Sequence, residues 1–153
     1  MHALELKLPP PVLVLLLAII MWWLSSFSAP PGVPFTFRLG AALAIAMVGT
    51  GIDVAAKLAF VQAKTTVNPL MPTAATAFVR SGVYRFTRNP MYLGRSLQLV
   101  AWATYLCNAF DLVPVCFFVL YITRFQIRPE ERALSSQFGG QYITYLQQAP
   151  RWA

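Results

Sequence analysis

The chain has 153 residues, 58% of them hydrophobic and only 11% charged, with a mean hydropathy of +0.58. Soluble domains carry about 25% charged residues, so this balance points to the membrane and leaves little room for a separate soluble module. The net charge of +7 does not signal nucleic acid, because the basic residues gather at the ends of apolar runs, beside anionic lipid. Cys107 and Cys116 form no CxxC and no metal-binding set, and read as structural thiols.

Residues 1–11 are a short, mildly polar leader. Residues 12–28 form the first expected transmembrane helix, with Trp22 and Trp23 as interface anchors near its far end. The run also resembles a signal peptide, but Pro30 disfavours cleavage after Ala29, and a retained helix is the preferred reading. A proline-rich turn precedes the second expected span, residues 39–62, where Gly40, Gly49 and Gly51 allow close helix approach. Asp53 and Lys57 are four apart and share a helix face, so they can pair; contact of Asp53 with a polar substrate is the other reading.

Residues 64–89 read as a cytosolic loop whose Thr65-Thr-Val-Asn-Pro and Met71-Pro segments exclude regular helix. Asn89-Pro90 is a helix start, with asparagine at the cap and proline at the first helical position. The third span covers residues 90–107, a hairpin turn follows, and the fourth covers residues 112–128. Pro129 ends or bends that helix, and residues 129–153 form an amphipathic tail. Leu134, Phe138, Tyr142, Tyr145 and Leu146 make its apolar face, interrupted at Gly139-Gly140. The expected fold class is therefore an all-α integral membrane protein: one domain with about four transmembrane helices and a cytosolic amphipathic C-terminal helix.

On this topology Lys7, Lys64, Arg80, Arg85, Arg88, Arg95, Arg124, Arg128, Arg132 and Arg151 fall on one side, facing Arg38 and Asp111 on the other. The positive-inside rule places both termini and the basic segments on the cytosolic side of the membrane. Arginine costs roughly 2.5 to 3.5 kcal/mol at a helix centre, so the cluster over residues 80–95 belongs at the membrane boundary. There the free N–H groups of the Asn89-Pro90 helix start, with Arg85, Arg88 and Arg95, suit an anion such as a carboxylate or phosphate; binding lipid headgroups and fixing orientation is the simpler reading. Glu130 and Glu131 are two of only five acids. They either stabilise the first turn of the tail helix or hold an amino group or ribose hydroxyls.

The segment Gly82-Val-Tyr-Arg-Phe-Thr-Arg-Asn-Pro-Met-Tyr-Leu-Gly94 is followed by Arg128-Pro-Glu-Glu-Arg-Ala-Leu, by Phe138-Gly-Gly-Gln-Tyr-Ile-Thr-Tyr145, and by Arg151-Trp152. This order resembles the isoprenylcysteine carboxyl methyltransferase and phospholipid methyltransferase family, in its short prokaryotic form. The resemblance covers roughly residue 65 onward. It implies an S-adenosylmethionine-dependent integral membrane methyltransferase, with S-adenosylhomocysteine as product, whose cofactor lies at the cytosolic end of the last two spans. The resemblance assigns Tyr84, Arg88, Asn89, Pro90, Tyr92, Gly94, Glu130, Glu131, Tyr142 and Tyr145 to cofactor binding. Arg88, Asn89 and Glu131 are the candidate catalytic residues, and no metal is implied. Two departures stand out: Asn89 replaces the histidine common in the isoprenylcysteine branch, and Val83 replaces a frequent proline.

The residues suit the chemistry. Transfer from a sulfonium needs positioning more than covalent help, and orientation supplies about 7 to 11 kcal/mol in favourable cases. Tyr84, Phe86, Tyr92, Tyr142 and Tyr145 can face the cation, and Glu131 can serve as base for an amine acceptor. The expected partners are membrane lipid and a lipophilic or lipid acceptor; carboxylate, amine and thiol acceptors all stay open, and no residue fixes an oligomeric state. A related alternative is an NADPH-dependent reductase of the sterol reductase type. Met91 and Arg95 stand where that group carries asparagine and an acid, which favours methyl transfer. A non-enzymatic four-helix transporter or scaffold is the other alternative, with Asp53 its only deep acid.

Overall fold

A computed structural model describes residues 5–28, 32–63 and 79–153, and within them every regular element is helical. Helix α1 spans Pro10–Ser25, α2 Phe35–Gln62, α3 Pro90–Leu106, α4 Leu112–Ile122 and α5 Arg128–Gln148. A 3-10 turn at Gly82–Arg85 precedes α3, another at Ala109–Asp111 joins α3 to α4, and a π turn at Thr123–Ile127 joins α4 to α5. The Thr65-Thr-Val-Asn-Pro loop and Lys64 lie outside the described residues.

Proline sets three of the starts. Pro10 opens α1 and Pro90 opens α3 at positions where a missing N–H costs nothing. Pro34 caps α2, which begins four residues earlier than the expected 39 and reaches 28 residues, about 42 Å of helix. Among the described residues two helical stretches are long and apolar enough to cross a membrane, α2 and Ala109–Gln148, whose rod runs from α4 through the π turn into the first part of α5; α1 is apolar but shorter. Their outward faces carry unburied apolar side chains such as Phe37 and Leu120, each 70% exposed, which suits lipid and not water.

Pro129 neither ends the rod nor breaks it. A proline there cannot donate to the Phe125 carbonyl and would crowd it in a regular α-helix. The chain widens instead: the Arg128 amide bonds back to the Thr123 carbonyl, in π fashion. The Phe125 carbonyl so released accepts from the Leu6 amide at 3.1 Å. The leader is fixed further by Glu5, which pairs with Arg124 at 3.3 Å and Arg132 at 2.6 Å, and by Gln126 Nε2 donating to the Leu8 carbonyl at 2.9 Å.

Helices α1, α3 and α4 share a core of Leu13, Leu17, Met21, Leu99, Phe118 and Ile122. Trp102 ties α3 to α1 by donating to the Ala18 carbonyl at 3.0 Å. At the far end of α3, Arg38 donates to the Tyr105 carbonyl at 2.9 Å and satisfies one of the helix's unpaired acceptors.

The tightest crossing is α2 on α3. A methyl on Gly94 would sit 2.6 Å from the Gly49 carbonyl oxygen, and one on Gly49 2.8 Å from that of Gly94. Backbone touches backbone there. Gly94→Ala should lower the thermal midpoint in detergent, costing about 1–3 kcal/mol through overpacking. Gly51→Ala, whose added carbon meets nothing within 4 Å, should leave the midpoint unchanged or raise it. Equal effects from the two substitutions would refute the crossing.

Candidate active site

Three stretches remote in sequence meet at one end of the bundle. The 3-10 turn and the start of α3 supply Tyr84, Arg88, Asn89 and Tyr92. The opening of α5 supplies Glu130 and Glu131. The third stretch comes from the far part of α5 because the helix reverses at Gly139, whose φ of 54° and ψ of −129° suit glycine alone. That turn brings Tyr142, Tyr145 and Ala149 into a small core with Leu134, Phe138 and Leu146, the apolar face expected of the tail.

The acidic pair is not a helix-start device. The rod runs unbroken through residue 130, so no free N-terminus stands there for the carboxylates to stabilise. Each acid has a partner from elsewhere. Glu131 Oε1 lies 3.1 Å from an Arg88 guanidinium nitrogen, and Arg151 grips the same carboxylate through two nitrogens at 3.1 and 2.7 Å. The hydrogen bonds to Glu131 raise the Arg151 guanidinium above its ordinary range. Glu130 accepts from the Tyr92 hydroxyl at 2.5 Å. Although the Glu130 side chain is only half-buried overall, its carboxyl is enclosed by protein and lies beyond the apolar part of the rod. Burial pushes it up to about 8, with the Glu131 charge adding to the rise and the Tyr92 hydrogen bond opposing it.

Asn89 stands at the cap position of α3 but does not cap it with its side chain. Its Nδ2 donates instead to the Arg151 carbonyl at 2.9 Å, which Thr87 Oγ1 also reaches at 3.2 Å. Thr87 takes over at the helix start by accepting from the Asn89 amide at 3.3 Å. The Arg88 amide donates to the Pro150 carbonyl at 2.9 Å. The Nε of Arg88 is buried and has no hydrogen-bond partner.

The tyrosines line the same end. Tyr145 donates to the Tyr84 carbonyl at 2.7 Å, and Tyr142 and Tyr145 have ring centroids 6.0 Å apart. Phe60 of α2 meets the Tyr84 ring edge-on at 5.5 Å. Burial raises the Tyr145 phenol to about 12, and raises Tyr84 and Tyr142 further, with nearby acids assisting. All three are neutral at physiological pH.

Of the sequence-chosen residues, Tyr84, Arg88, Asn89, Tyr92, Glu130, Glu131, Tyr142 and Tyr145 gather here. Pro90 is buried beneath them as the first residue of α3. Gly94 lies at the α2–α3 crossing, where it packs closely against Gly49. Phe86 points away and is 75% exposed. Asp53 pairs with Lys57 at 2.6 Å as the spacing foresaw, and its other oxygen is buried without a partner. Arg151 was missed: its guanidinium and its carbonyl serve both motifs, and only its place in the closing Arg-Trp hinted at a role.

Known proteins resemble this arrangement in sequence. Residues 37–141 match the family model described as phospholipid methyltransferase, a stretch that takes in nearly all of α2, then α3, α4 and the acid pair. Over 62 residues the chain is 44% identical to an uncharacterized protein of Haemophilus influenzae, covering 40% of this chain and 98% of that protein. Over 72 residues it is 33% identical to protein-S-isoprenylcysteine O-methyltransferase B of Arabidopsis thaliana, covering 47% of this chain but only 36% of that enzyme. No solved structure matches. The chain belongs to the phospholipid methyltransferase family.

Proposed function

We propose that the protein is an S-adenosylmethionine-dependent membrane methyltransferase acting on a lipophilic or lipid acceptor. The observation that carries this reading is the joining of both family motifs into one polar cluster through Arg88, Glu131, Tyr92 and Glu130. In this reading the four-span topology holds, with α1, α2, α3 and the α4 part of the rod in the bilayer and the site at the cytosolic face. Membrane residence follows from the apolar helices and the family.

The side chains present fit such a cofactor. Its ribose hydroxyls call for a hydrogen-bonding carboxyl group, and Glu130 commits one oxygen to Tyr92. Its carboxylate calls for a cationic donor, and the Arg88 Nε is a buried donor without an acceptor. Its sulfonium calls for aromatic faces, and the neutral phenols of Tyr84, Tyr142 and Tyr145 stand close by. When bound, the cofactor supplies a methyl group activated by the positive sulfur. Arg88 and Asn89, fixed by Glu131 and the Arg151 carbonyl, orient the bound groups. The membrane-bounded site limits water around the acceptor, and Glu130 can receive a proton from an acceptor only in its ionised form, which is the minority species below about pH 8. Glu131 suits that task less, because its oxygens are committed to the two guanidinium groups.

Calorimetry on detergent-purified protein with S-adenosylhomocysteine, run beside NADPH, tests the reading. Binding of S-adenosylhomocysteine is expected; binding of NADPH alone would sink the methyltransferase assignment and favour the reductase. Glu131→Gln should weaken the affinity by about tenfold or more, since it removes a charged acceptor from two guanidinium groups.

A pH dependence follows from Glu130. In the folded state its carboxyl titrates at about 8, against an ordinary 4.5, so folded protein holds a proton there that the unfolded chain has released. This contribution to stability is full below about pH 4.5 and is lost as pH rises towards 8. The thermal midpoint of the wild type should fall over that window more steeply than that of Glu130→Gln. Parallel curves would show that Glu130 does not titrate as described.

A further inference from the structure

The segment after α5 does more than close the chain over the site. Arg151 holds Glu131 through two guanidinium nitrogens, and its carbonyl accepts from both Asn89 and Thr87. One residue earlier, the Pro150 carbonyl accepts the Arg88 amide. One residue later, the Trp152 indole donates to Thr123 Oγ1 at 3.3 Å and packs against the α1–α3–α4 core. A single residue therefore touches the acid from one motif and the amide side chain from the other.

We propose that Arg151 is a positioning residue of the cofactor site: its guanidinium aims Glu131 while its carbonyl aims Asn89, fixing the distance between the two motif walls. The inference rests on the methyltransferase reading and extends it to a residue outside the matched family stretch, which ends at 141. Arg88 alone could not do the aiming, because it offers Glu131 one nitrogen at 3.1 Å. A two-point guanidinium fork fixes the plane of a carboxylate, whereas a single contact leaves it free to swivel. Lysine could supply charge but not the fork. The segment is anchored independently at Trp152, so the Arg151 side chain can be changed while its neighbours stay docked.

The test uses the full chain in detergent, with S-adenosylhomocysteine affinity measured well below each variant's thermal midpoint. Arg151→Ala should bind about tenfold more weakly, the scale of a lost charge-assisted bond. Arg151→Lys should recover only part of that loss. Trp152→Phe, which trims the anchor without touching Glu131, should lower the midpoint and leave affinity within about twofold. Combining Arg151→Ala with Glu131→Gln should weaken binding little beyond either single change, because both remove the same constraint. If Arg151→Ala does not fold, Arg151→Lys decides: several-fold weaker binding supports the role and unchanged binding overturns it. Wild-type affinity in Arg151→Ala, or additive losses in the double variant, also overturns it. Failure of the wild type to bind S-adenosylhomocysteine removes the methyltransferase reading and this one with it; wild-type binding that is indifferent to residue 151 removes this one alone.

Discussion

A carboxylate withdrawn from bulk water must be met by cationic donors, and at Glu131 two guanidinium groups meet it from opposite directions along the chain. Arg88 arrives from the turn before α3, and Arg151 from the segment beyond α5. Removing either would leave the remaining charges poorly compensated, so the three segments are bound to a common geometry. The Tyr92–Glu130 bond repeats the pattern one residue earlier with a neutral donor. Two adjacent acids on the same helix thus acquire opposite characters. One is ringed by charge; the other is enclosed and titrates near neutrality.

The apolar part of the molecule serves this end of the bundle. α3 carries Tyr92 and is held on two sides, by the glycine contact with α2 and by the shared core with α1 and α4. Tyr92 itself bridges the two worlds: its ring packs in that core while its hydroxyl reaches Glu130. The leader, through Glu5, pairs with both Arg124 and Arg132 beside the site.

Much of this was legible in the residues. The helix start at Pro90, the Asp53–Lys57 pair, the break at Gly139 and the apolar face of the tail all follow from local rules of proline, glycine and helical spacing. The acid pair stood out because acids are scarce in this chain. Three features were not legible, each because it depends on a partner far along the sequence. Asn89 abandons its cap role because a carbonyl 62 residues away offers it a better acceptor. Pro129 fails to end its helix because the leader takes up the carbonyl it orphans. Arg151 lies in a short closing segment with no periodic pattern, so its two-sided role emerges only when the tail folds back. The close approach of α2 at Gly94 is likewise invisible in the motif itself.

The π turn at Thr123–Ile127 also sets a rotational phase. A regular helix advances by about 100° per residue, so accommodating one more residue in a turn swings everything beyond it by roughly that angle. Glu130 and Glu131 lie just beyond the turn. Wound as plain α-helix, the same sequence would present a different side of the rod to α3, and the acids would look past Tyr92 and Arg88. The proline that disturbs the winding is therefore what brings the acid pair into register with its partners.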